Sequence, residues 1–332
     1  MNYRNAIFGF SAIWIVFYHI YSVYRLPNIP IVSQIINMGN MGVDIFVFLS
    51  AVGLSFSIEK NSLKEFYYNR VKRVLLPFLL ISVPFYVWDA LAVYGVNIKA
   101  LSEFLLNITT LSFWCRKGAP AWYMSFVLVT YAIFPLLYKL KKKHKWTLVL
   151  LIALSIITEI FLKFIESPIY TFGERVLSRI PIFLIGMIVA DFVKENRKIN
   201  KLFSFSTISI ACAGAICIVL SNPDIVIVRY IYAFMSISII LVLSFILDKI
   251  QNISTLKPLV GILNFCGSNS LEIYLIHTFI IRFLSYYNLL HMTHYMVYYV
   301  TIFGASIMIS SGIKILASYI TKPRKNIENS CA

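Results

Sequence analysis

The sequence contains little charge, and the charge that it has is mostly positive. Only 13% of its 332 residues are charged, with 14 aspartates and glutamates against 30 lysines and arginines. Soluble domains carry about 25% charged residues, so this composition excludes an ordinary soluble enzyme. The five cysteines lack metal-ligand spacing, and the first apolar run lacks a small-residue cleavage site. We therefore expect no metal site and no cleaved signal peptide.

Apolar residues make up 59% of the chain and are gathered into long runs. A membrane-spanning helix needs about 20 mostly apolar residues. Ten runs meet this requirement, at about residues 7–24, 42–58, 75–94, 122–138, 146–165, 177–193, 203–220, 225–247, 270–287 and 296–316. A shorter run, 100–114, contains Glu103 and Asn107 and is expected to be an interfacial or re-entrant helix. The sequence predicts an all-α polytopic membrane protein with about ten transmembrane helices, in which residues 1–332 form a single domain.

The lysines and arginines between the apolar runs are distributed unevenly. The alternate loops that include both termini hold 20 of the 30. The other set holds five, which are Arg25, Lys99, Arg116, Lys117 and Arg175. Loops rich in lysine and arginine face the cytoplasm, so both termini are predicted to be cytoplasmic. Membrane topology thus accounts for the positive charge, and we expect membrane lipids but no nucleic acid as partners.

His19 and Asp44 are ionisable residues within predicted spans, where such residues are costly and often functional. His19 follows Ile7 by about 18 Å along a helix, which places it in the outer half of the membrane. Asp44 lies within about 3 Å of the outer edge of the second span. A histidine at this depth can act as a general base, and an acid can orient its ring. Alternatively, His19 is only a hydrogen-bonded helix residue and Asp44 caps the second helix.

Arg70 and Arg73 meet the membrane at its predicted cytoplasmic side. Since they are three residues apart, they share one face of a helix. Guanidinium groups suit the bidentate recognition of phosphate, so the two arginines are a candidate phosphate site. The alternative is a solvated topology signal like the other basic loops.

Four arginines depart from the inward bias and fall near the outer ends of their spans: Arg175, Arg179, Arg229 and Arg282. One explanation is a binding site for an anionic glycan or a lipid pyrophosphate. The other is pairing with the acids at similar depth, which are Glu159, Glu166, Glu174 and Asp224.

Several segments match, in order, the motifs of one membrane family. They are Gly42-Val43-Asp44-Ile45-Phe46-Val47-Phe48-Leu49-Ser50; Arg70 and Arg73 with Pro77; Trp122-Tyr123-Met124 with Tyr131 and Pro135; Arg179 to Gly186; and Gly267, Ser270, Leu271, Tyr274, Leu275 and His277. Together with His19 in the first span, they resemble the acyltransferase 3 family of integral-membrane acyltransferases. The chain departs from that family at Phe8, where an arginine is frequent, at Ala51 (glycine) and at Val127 (glutamate). Arg4, one turn before Phe8, is a candidate replacement for the arginine.

The resemblance implies a single-domain enzyme of the bacterial inner (plasma) membrane. Such an enzyme moves an acyl group, often acetyl, from cytoplasmic acyl-CoA to a hydroxyl of an extracytoplasmic or lipid-linked glycan. The expected outcome is O-acetylation of a cell-envelope polysaccharide. The acyl-CoA would be a donor substrate, and the glycan would be the principal partner.

The resemblance also assigns roles to individual residues. Arg70 and Arg73 would hold the phosphates of the donor. His19, Asp44 and His277 would be catalytic, and His277 has the alternative of a packing role. The expected substrate-binding residues are Trp122, Tyr123, Arg179 and Tyr274, and the first two also fit an interfacial aromatic belt.

Two other functions remain open at this point. A transporter or flippase of a lipid-linked sugar would also use about ten spans, buried charges and outer arginines. It should show repeated halves with interrupted helices, and the sequence displays no clear internal repeat. An inactive family member that serves as a scaffold is the third alternative, because of Phe8 and Val127.

The charge bias yields a prediction about topology. Cysteines placed at Lys142 and Lys198 should be protected from membrane-impermeant thiol reagents in intact cells, and one placed at Asn28 should react. Labelling is read by gel shift, with permeabilised cells as the control in which all three react. The reverse pattern would place the basic loops outside and contradict the orientation.

Overall fold

The computed structural model describes residues 3–23, 30–115, 122–144, 146–195, 201–221, 224–289 and 295–321. These ranges contain sixteen α-helices and no strand. The helices are α1 (Arg4–Val23), α2 (Pro30–Asn37), α3 (Met41–Lys60), α4 (Leu63–Arg70), α5 (Leu76–Tyr94), α6 (Ile98–Ile108), α7 (Ser112–Cys115), α8 (Trp122–Lys143), α9 (Thr147–Phe164), α10 (Pro168–Leu177), α11 (Ile180–Lys194), α12 (Lys201–Ser221), α13 (Ile225–Ile250), α14 (Lys257–Ser268), α15 (Ser270–Tyr286) and α16 (Tyr295–Ile320). Of the loop positions used above to infer orientation, Arg25, Asn28, Arg116, Lys117 and Lys198 lie outside the described residues.

Most of the predicted spans are present in the described part of the chain. Eight helical segments are long and apolar enough to cross a membrane: Arg4–Val23, Ile31–Lys60, Leu63–Tyr94, Trp122–Lys143, Thr147–Phe164, Gly173–Lys194, Ile225–Ile250 and Met296–Ile320. The bent pair Ser254–Ser268 and Ser270–Tyr286 makes nine if it counts as one span, and α12 contributes a shorter apolar segment, Ser204–Ile218. The predicted all-α polytopic fold is therefore confirmed, with ten as an approximate count. The chain is a multi-pass membrane protein.

Two short helices add detail to the predicted topology. The run 100–114 forms α6, whose 11 residues cover only about 16 Å and cannot cross a bilayer. The run 270–287 forms α15, but α14 precedes it at an angle of 75°. No apolar run predicted α14, because Lys257, Asn264 and its two glycines interrupt the hydrophobic pattern.

The second span, α3, lies at the centre of the bundle. It is apolar on all sides and packs against α1, α11 and α13. A helix that is hydrophobic all round is expected to be buried, and α3 contains the longest continuous stretch of buried residues in the described part of the chain, 41–49. Asp44 occupies its first turn, so this acid is held at the core of the bundle rather than at its surface.

Arg70 and Arg73 are positioned by α4 and by the turn that follows it. A capping box fixes the start of α4: Ser62 Oγ accepts a hydrogen bond from the Glu65 backbone N–H, and the Glu65 carboxylate accepts from the Ser62 N–H. The next turn, Val71–Leu75, is π-helical and joins α4 to α5. Such turns are rare and frequently occur at functional sites. The helical-face argument for the two arginines assumed an α-helix, so it does not describe their actual geometry.

A close backbone contact joins α1 to α14. A Cβ atom added at Gly9 would lie 1.8 Å from the carbonyl oxygen of Leu263, and one added at Gly267 would lie 1.7 Å from that of Asn5. Small residues let transmembrane helices approach in this way. Because α15 begins directly after α14, the contact also fixes where α15 lies relative to α1.

We expect Gly267→Ala to destabilise the protein, because the added methyl group meets backbone rather than a movable side chain. The free energy of unfolding should fall by about 1–3 kcal/mol or more, since this range is typical of overpacking. Thermal unfolding of the purified protein in detergent measures it. Gly261→Ala in the same helix is the matched control, since a Cβ there meets nothing within 4 Å. Equal melting temperatures for the two variants would contradict the contact.

Candidate active site

A cavity of about 530 Å³ lies where α1 and α5 begin and α16 ends. Its volume falls in the range of about 300–1,000 Å³ that is typical of small-molecule sites. The charged residues that line it are Arg4, Arg70, Lys72, Arg73, Glu272 and Lys314. We call it the inner cavity, because these chain segments are predicted to be cytoplasmic.

The arginines of the inner cavity lack acidic partners in the described part of the chain. Arg70 donates from Nη2 to Ser57 Oγ at 3.3 Å, while its buried Nε has no hydrogen-bond partner there. Neither Arg70 nor Arg73 forms an ion pair with a described residue. Unpaired positive charge is costly at Arg70, which is half-buried, while Arg73 is exposed; an anionic ligand would stabilise the charge of Arg70. The structure therefore brings the two predicted arginines together on one cavity.

Three further cations of the inner cavity, Lys72, Lys314 and Arg4, were not among the predicted site residues. Lys314 lies in α16 and donates to the Ser268 carbonyl oxygen at 2.9 Å. The sequence could have indicated Lys314, because an ionisable residue within an apolar run is a candidate functional residue by default. The guanidinium of Arg4 lies 4.7 Å from the centroid of the Phe8 ring. Arg4 thus supplies positive charge beside the position where the resemblance led us to expect an arginine.

A second cavity, of about 250 Å³, lies near the end of α1 and the start of α3. We call it the outer cavity. Its polar lining residues are Tyr18, His19, Ser22, Asn40, Trp122, Arg175, Arg179 and Arg229. His19 and three of the four outer arginines therefore border the same space.

Neighbouring residues of the same helices line the two cavities, and we call these residues the partition. In α3, Val43 lines the outer cavity and Phe46 the inner one, and these residues are about 4.5 Å apart along the helix axis. In α8, the adjacent residues Trp122 and Tyr123 line the outer and the inner cavity respectively. Phe46 and Tyr123 are in ring contact, with centroids 6.2 Å apart. A group bound at the partition could be reached from both sides.

His19 and His277 form a hydrogen-bonded pair. Nδ1 of His19 lies 2.8 Å from Nε2 of His277, and Nδ1 of His277 lies 2.8 Å from the Ile273 carbonyl oxygen. His277 is fully buried, whereas His19 is half-buried and lines the outer cavity. The pair spans the contact between α1 and α15 that the glycines of α1 and α14 make possible.

The partners of the two rings determine their tautomers. A carbonyl oxygen only accepts, so Nδ1 of His277 carries the proton, and its Nε2 accepts when the ring is neutral. Nδ1–H of His19 must then donate to His277. Nε2 of His19 is left with a free lone pair. A neutral imidazole held in this way is set up to accept a proton or to act as a nucleophile.

Asp44 has a different partner from the one expected. Its Oδ1 lies 3.4 Å from Nε of Arg179, and it forms no hydrogen bond with His19. Both members of the ion pair are at most 3% exposed. Asp44 does not cap α3 either, because the N-cap residue is Asn40. The predicted contact with His19 is therefore wrong: the matching depths of the two residues did not place them on facing sides of their helices.

Comparison with known protein families identifies the family of this chain. A family model described as an acyltransferase domain, acyltransferase 3, matches residues 6–314. The chain belongs to the acyltransferase 3 family. No curated protein and no solved structure matches it. The chain is thus a membrane acyltransferase, and the family favours an enzyme over the transporter alternative.

Of the aromatic residues expected to bind substrate in this acyltransferase 3 chain, Trp122 lines the outer cavity and Tyr123 the inner one, while Tyr274 lines neither. Tyr123 and Tyr274 are buried, with ring centroids 5.0 Å apart, and Tyr274 also contacts the His277 ring at 5.7 Å. Trp122 borders the outer cavity, and its ring lies 5.0 Å from the Arg179 guanidinium carbon. Tyr123 is therefore a residue of the partition and not part of a lipid-facing aromatic belt.

The outer arginines of the acyltransferase 3 chain have mixed partners. Arg229 donates from Nε to Glu174 at 2.7 Å, which is one of the expected pairings. Arg282 pairs instead with Asp89 at 3.1 Å. Of the other expected acids, Asp224 pairs with Lys163, and Glu159 accepts a hydrogen bond of 2.5 Å from the Tyr230 hydroxyl. Arg175 forms no ion pair with a described residue.

The buried pair yields a prediction about stability. Asp44→Asn and Arg179→Gln each leave one buried charge uncompensated, so each should cost about 3–5 kcal/mol. The double variant should lose much less than the sum, because it contains neither charge. Chemical unfolding of the four proteins in detergent measures this coupling.

The exposed pair of Asp89 and Arg282 supplies the control for this cycle. The Arg282 side chain is 53% exposed, so the cycle of Asp89→Asn and Arg282→Gln should show a coupling of only about 0.2–1 kcal/mol. Additive losses for Asp44→Asn and Arg179→Gln would contradict the buried ion pair.

Proposed function

We propose that this protein transfers an acetyl group from cytoplasmic acetyl-CoA to a hydroxyl of an extracytoplasmic or lipid-linked glycan, in the plasma membrane of a bacterium. The observation that carries the proposal is the pair of cavities that approach each other from opposite ends of the bundle. One is lined by unpaired arginines, and the other by a histidine whose free nitrogen can act as a base.

The inner cavity suits the donor. Arg70 and Arg73 would hold its phosphates through charged hydrogen bonds, and Arg4 and Lys314 would add to the positive field. Along α1, Arg4 and His19 are about 22 Å apart, so the thioester must be carried on a long arm. The pantetheine arm of coenzyme A has this form. It would run toward Phe46 and Tyr123, at the partition.

The outer cavity suits the acceptor. Nε2 of His19 would take the proton of the glycan hydroxyl as its oxygen attacks the thioester carbonyl carbon. The bond between that carbon and sulfur then breaks, and the coenzyme leaves as a thiolate that is subsequently protonated. His277 has the role that an acid has in hydrolytic triads: it fixes the tautomer and orientation of the catalytic imidazole.

The proposal predicts that donor binding and chemistry can be separated. Arg70→Ala and Arg73→Ala should each weaken acetyl-CoA binding by about 1.5–3 kcal/mol, the usual value of a hydrogen bond to a charged group. His19→Ala should bind acetyl-CoA normally but lower acetyl transfer by about 10²–10⁴-fold, or by more if His19 itself carries the acyl group. Binding is measured on purified protein, and transfer is measured in inside-out membrane vesicles supplied with radiolabelled acetyl-CoA.

Matched variants control both halves of this experiment. Lys142→Ala removes an exposed basic residue outside the inner cavity and should leave binding unchanged. His277→Gln keeps an acceptor for Nδ1–H of His19, so it should retain more transfer activity than His277→Phe. Near-normal transfer by His19→Ala, or normal donor binding by both arginine variants, would overturn the mechanism.

A further inference from the structure

The outer cavity has more positive charge than an acceptor hydroxyl requires. Arg175, Arg179 and Arg229 all line it, together with His19. Arginines at the outer ends of spans work against the topology rule that the rest of the chain obeys, so they have no role in orienting the protein. Their presence calls for another physical reason.

The acids that neutralise two of these arginines do not line the cavity. Asp44 contacts Arg179, and Glu174 contacts Arg229, but neither acid borders the cavity itself. Neither acid therefore places negative charge on the cavity lining. Arg179 is itself buried and donates to the Arg175 carbonyl oxygen, Ser178 Oγ and Asn40 Oδ1, whereas Arg229 is half-buried and Arg175 is exposed. The cavity wall has three cations and no anion.

Hydrogen bonds within the wall fix the arrangement of these cations. Arg179 donates from Nη1 to the Arg175 carbonyl oxygen at 3.0 Å and from Nη2 to Asn40 Oδ1 at 3.0 Å. Its Nε and the Oδ2 atom of Asp44 are buried, and neither has a hydrogen-bond partner in the described part of the chain. Arg175 is exposed and has no ion pair with a described residue. A rigid arginine beside an unpaired one is an arrangement that can bind an anion.

We propose that the outer cavity binds an anionic group of the acceptor, a phosphate or a carboxylate, next to the hydroxyl that is acylated. This inference rests on the proposed function and names the class of its acceptor. Guanidinium groups recognise both anions through bidentate hydrogen bonds. The volume of about 250 Å³ lies below the usual range for drug-sized ligands, so one sugar unit with its charged group would enter, not an extended glycan.

Two sources supply such an anion: the phosphate of a lipid-linked sugar and the carboxylate of an acidic sugar. Three probes of similar size separate them, namely glucose 1-phosphate, glucuronate and uncharged glucose. Each is titrated against the purified full-length protein in nanodiscs of zwitterionic lipid, and binding is followed by calorimetry. We expect at least one of the anions to bind and glucose to bind at least tenfold more weakly. The anion that binds better identifies the source.

Two variants locate the binding. Arg175→Gln should weaken anion binding about tenfold or more, and since this residue is exposed and unpaired, the fold should tolerate the change. Arg282→Gln is the matched control: it also removes an outer arginine, but one that pairs with Asp89 outside the cavity, and it should bind like wild type. Equal binding of glucose and the anions, or unchanged anion binding by Arg175→Gln, would overturn the proposal.

Acetyl-CoA binding to the same nanodiscs distinguishes this failure from failure of the proposed function. If acetyl-CoA binds and the anions do not, the anion site is wrong and the acyl-transfer mechanism stands. If the anions bind as expected and acetyl-CoA does not, the anion site stands and the assigned donor is wrong.

Discussion

The backbone contact between α1 and α14 decides where the reactive groups lie. Gly9 and Gly267 let the two helices approach to a distance that no side chain would permit. Since α15 continues from α14 after a bend of 75°, His277 is held against His19. The hydrogen bond between these rings then leaves Nε2 without a proton on His19, which lines the outer cavity. A steric constraint between glycines thereby positions two histidines, each ten residues further along the chain from one of the glycines.

The charged residues fall into two groups, those with a direct ion-pair or hydrogen-bond partner and those without an ion pair. Several within the bundle have a direct partner: Asp44 pairs with Arg179, Glu174 pairs with Arg229, and Glu159 accepts a hydrogen bond from the hydroxyl of Tyr230. On the inner cavity, Arg70 and Arg73 form no ion pair with a described residue, and Glu272 is the one acid among six charged lining residues. Membrane proteins rarely tolerate uncompensated charge without a function for it. This contrast is the main reason to place the phosphates of a donor at the inner arginines.

The sequence predicted the spans well, because hydropathy over about 20 residues reports directly on the thickness of the bilayer. It also selected Arg70 and Arg73, which line the inner cavity, and His19, which lines the outer cavity and is hydrogen-bonded to the buried His277. The sequence did not predict that Asp44 pairs with Arg179. The position of a residue along a span gives its depth in the membrane but not the direction in which its side chain faces. The helix α14 was missed for a related reason: glycine and polar residues weaken its apolar pattern, although glycine is what its packing needs.

The partition has an electrical consequence. The membrane potential falls where protein replaces water, so water entering both cavities would shorten that region toward the part of α3 between Val43 and Phe46. Moving one elementary charge through the full potential is worth about 2.3 kcal/mol per 100 mV. In the proposed reaction the acetyl group is neutral, but a proton is lost by a hydroxyl outside and gained by a thiolate inside. If that proton crosses the partition, an inside-negative voltage drives it inward, and acyl transfer becomes coupled to the energised state of the membrane.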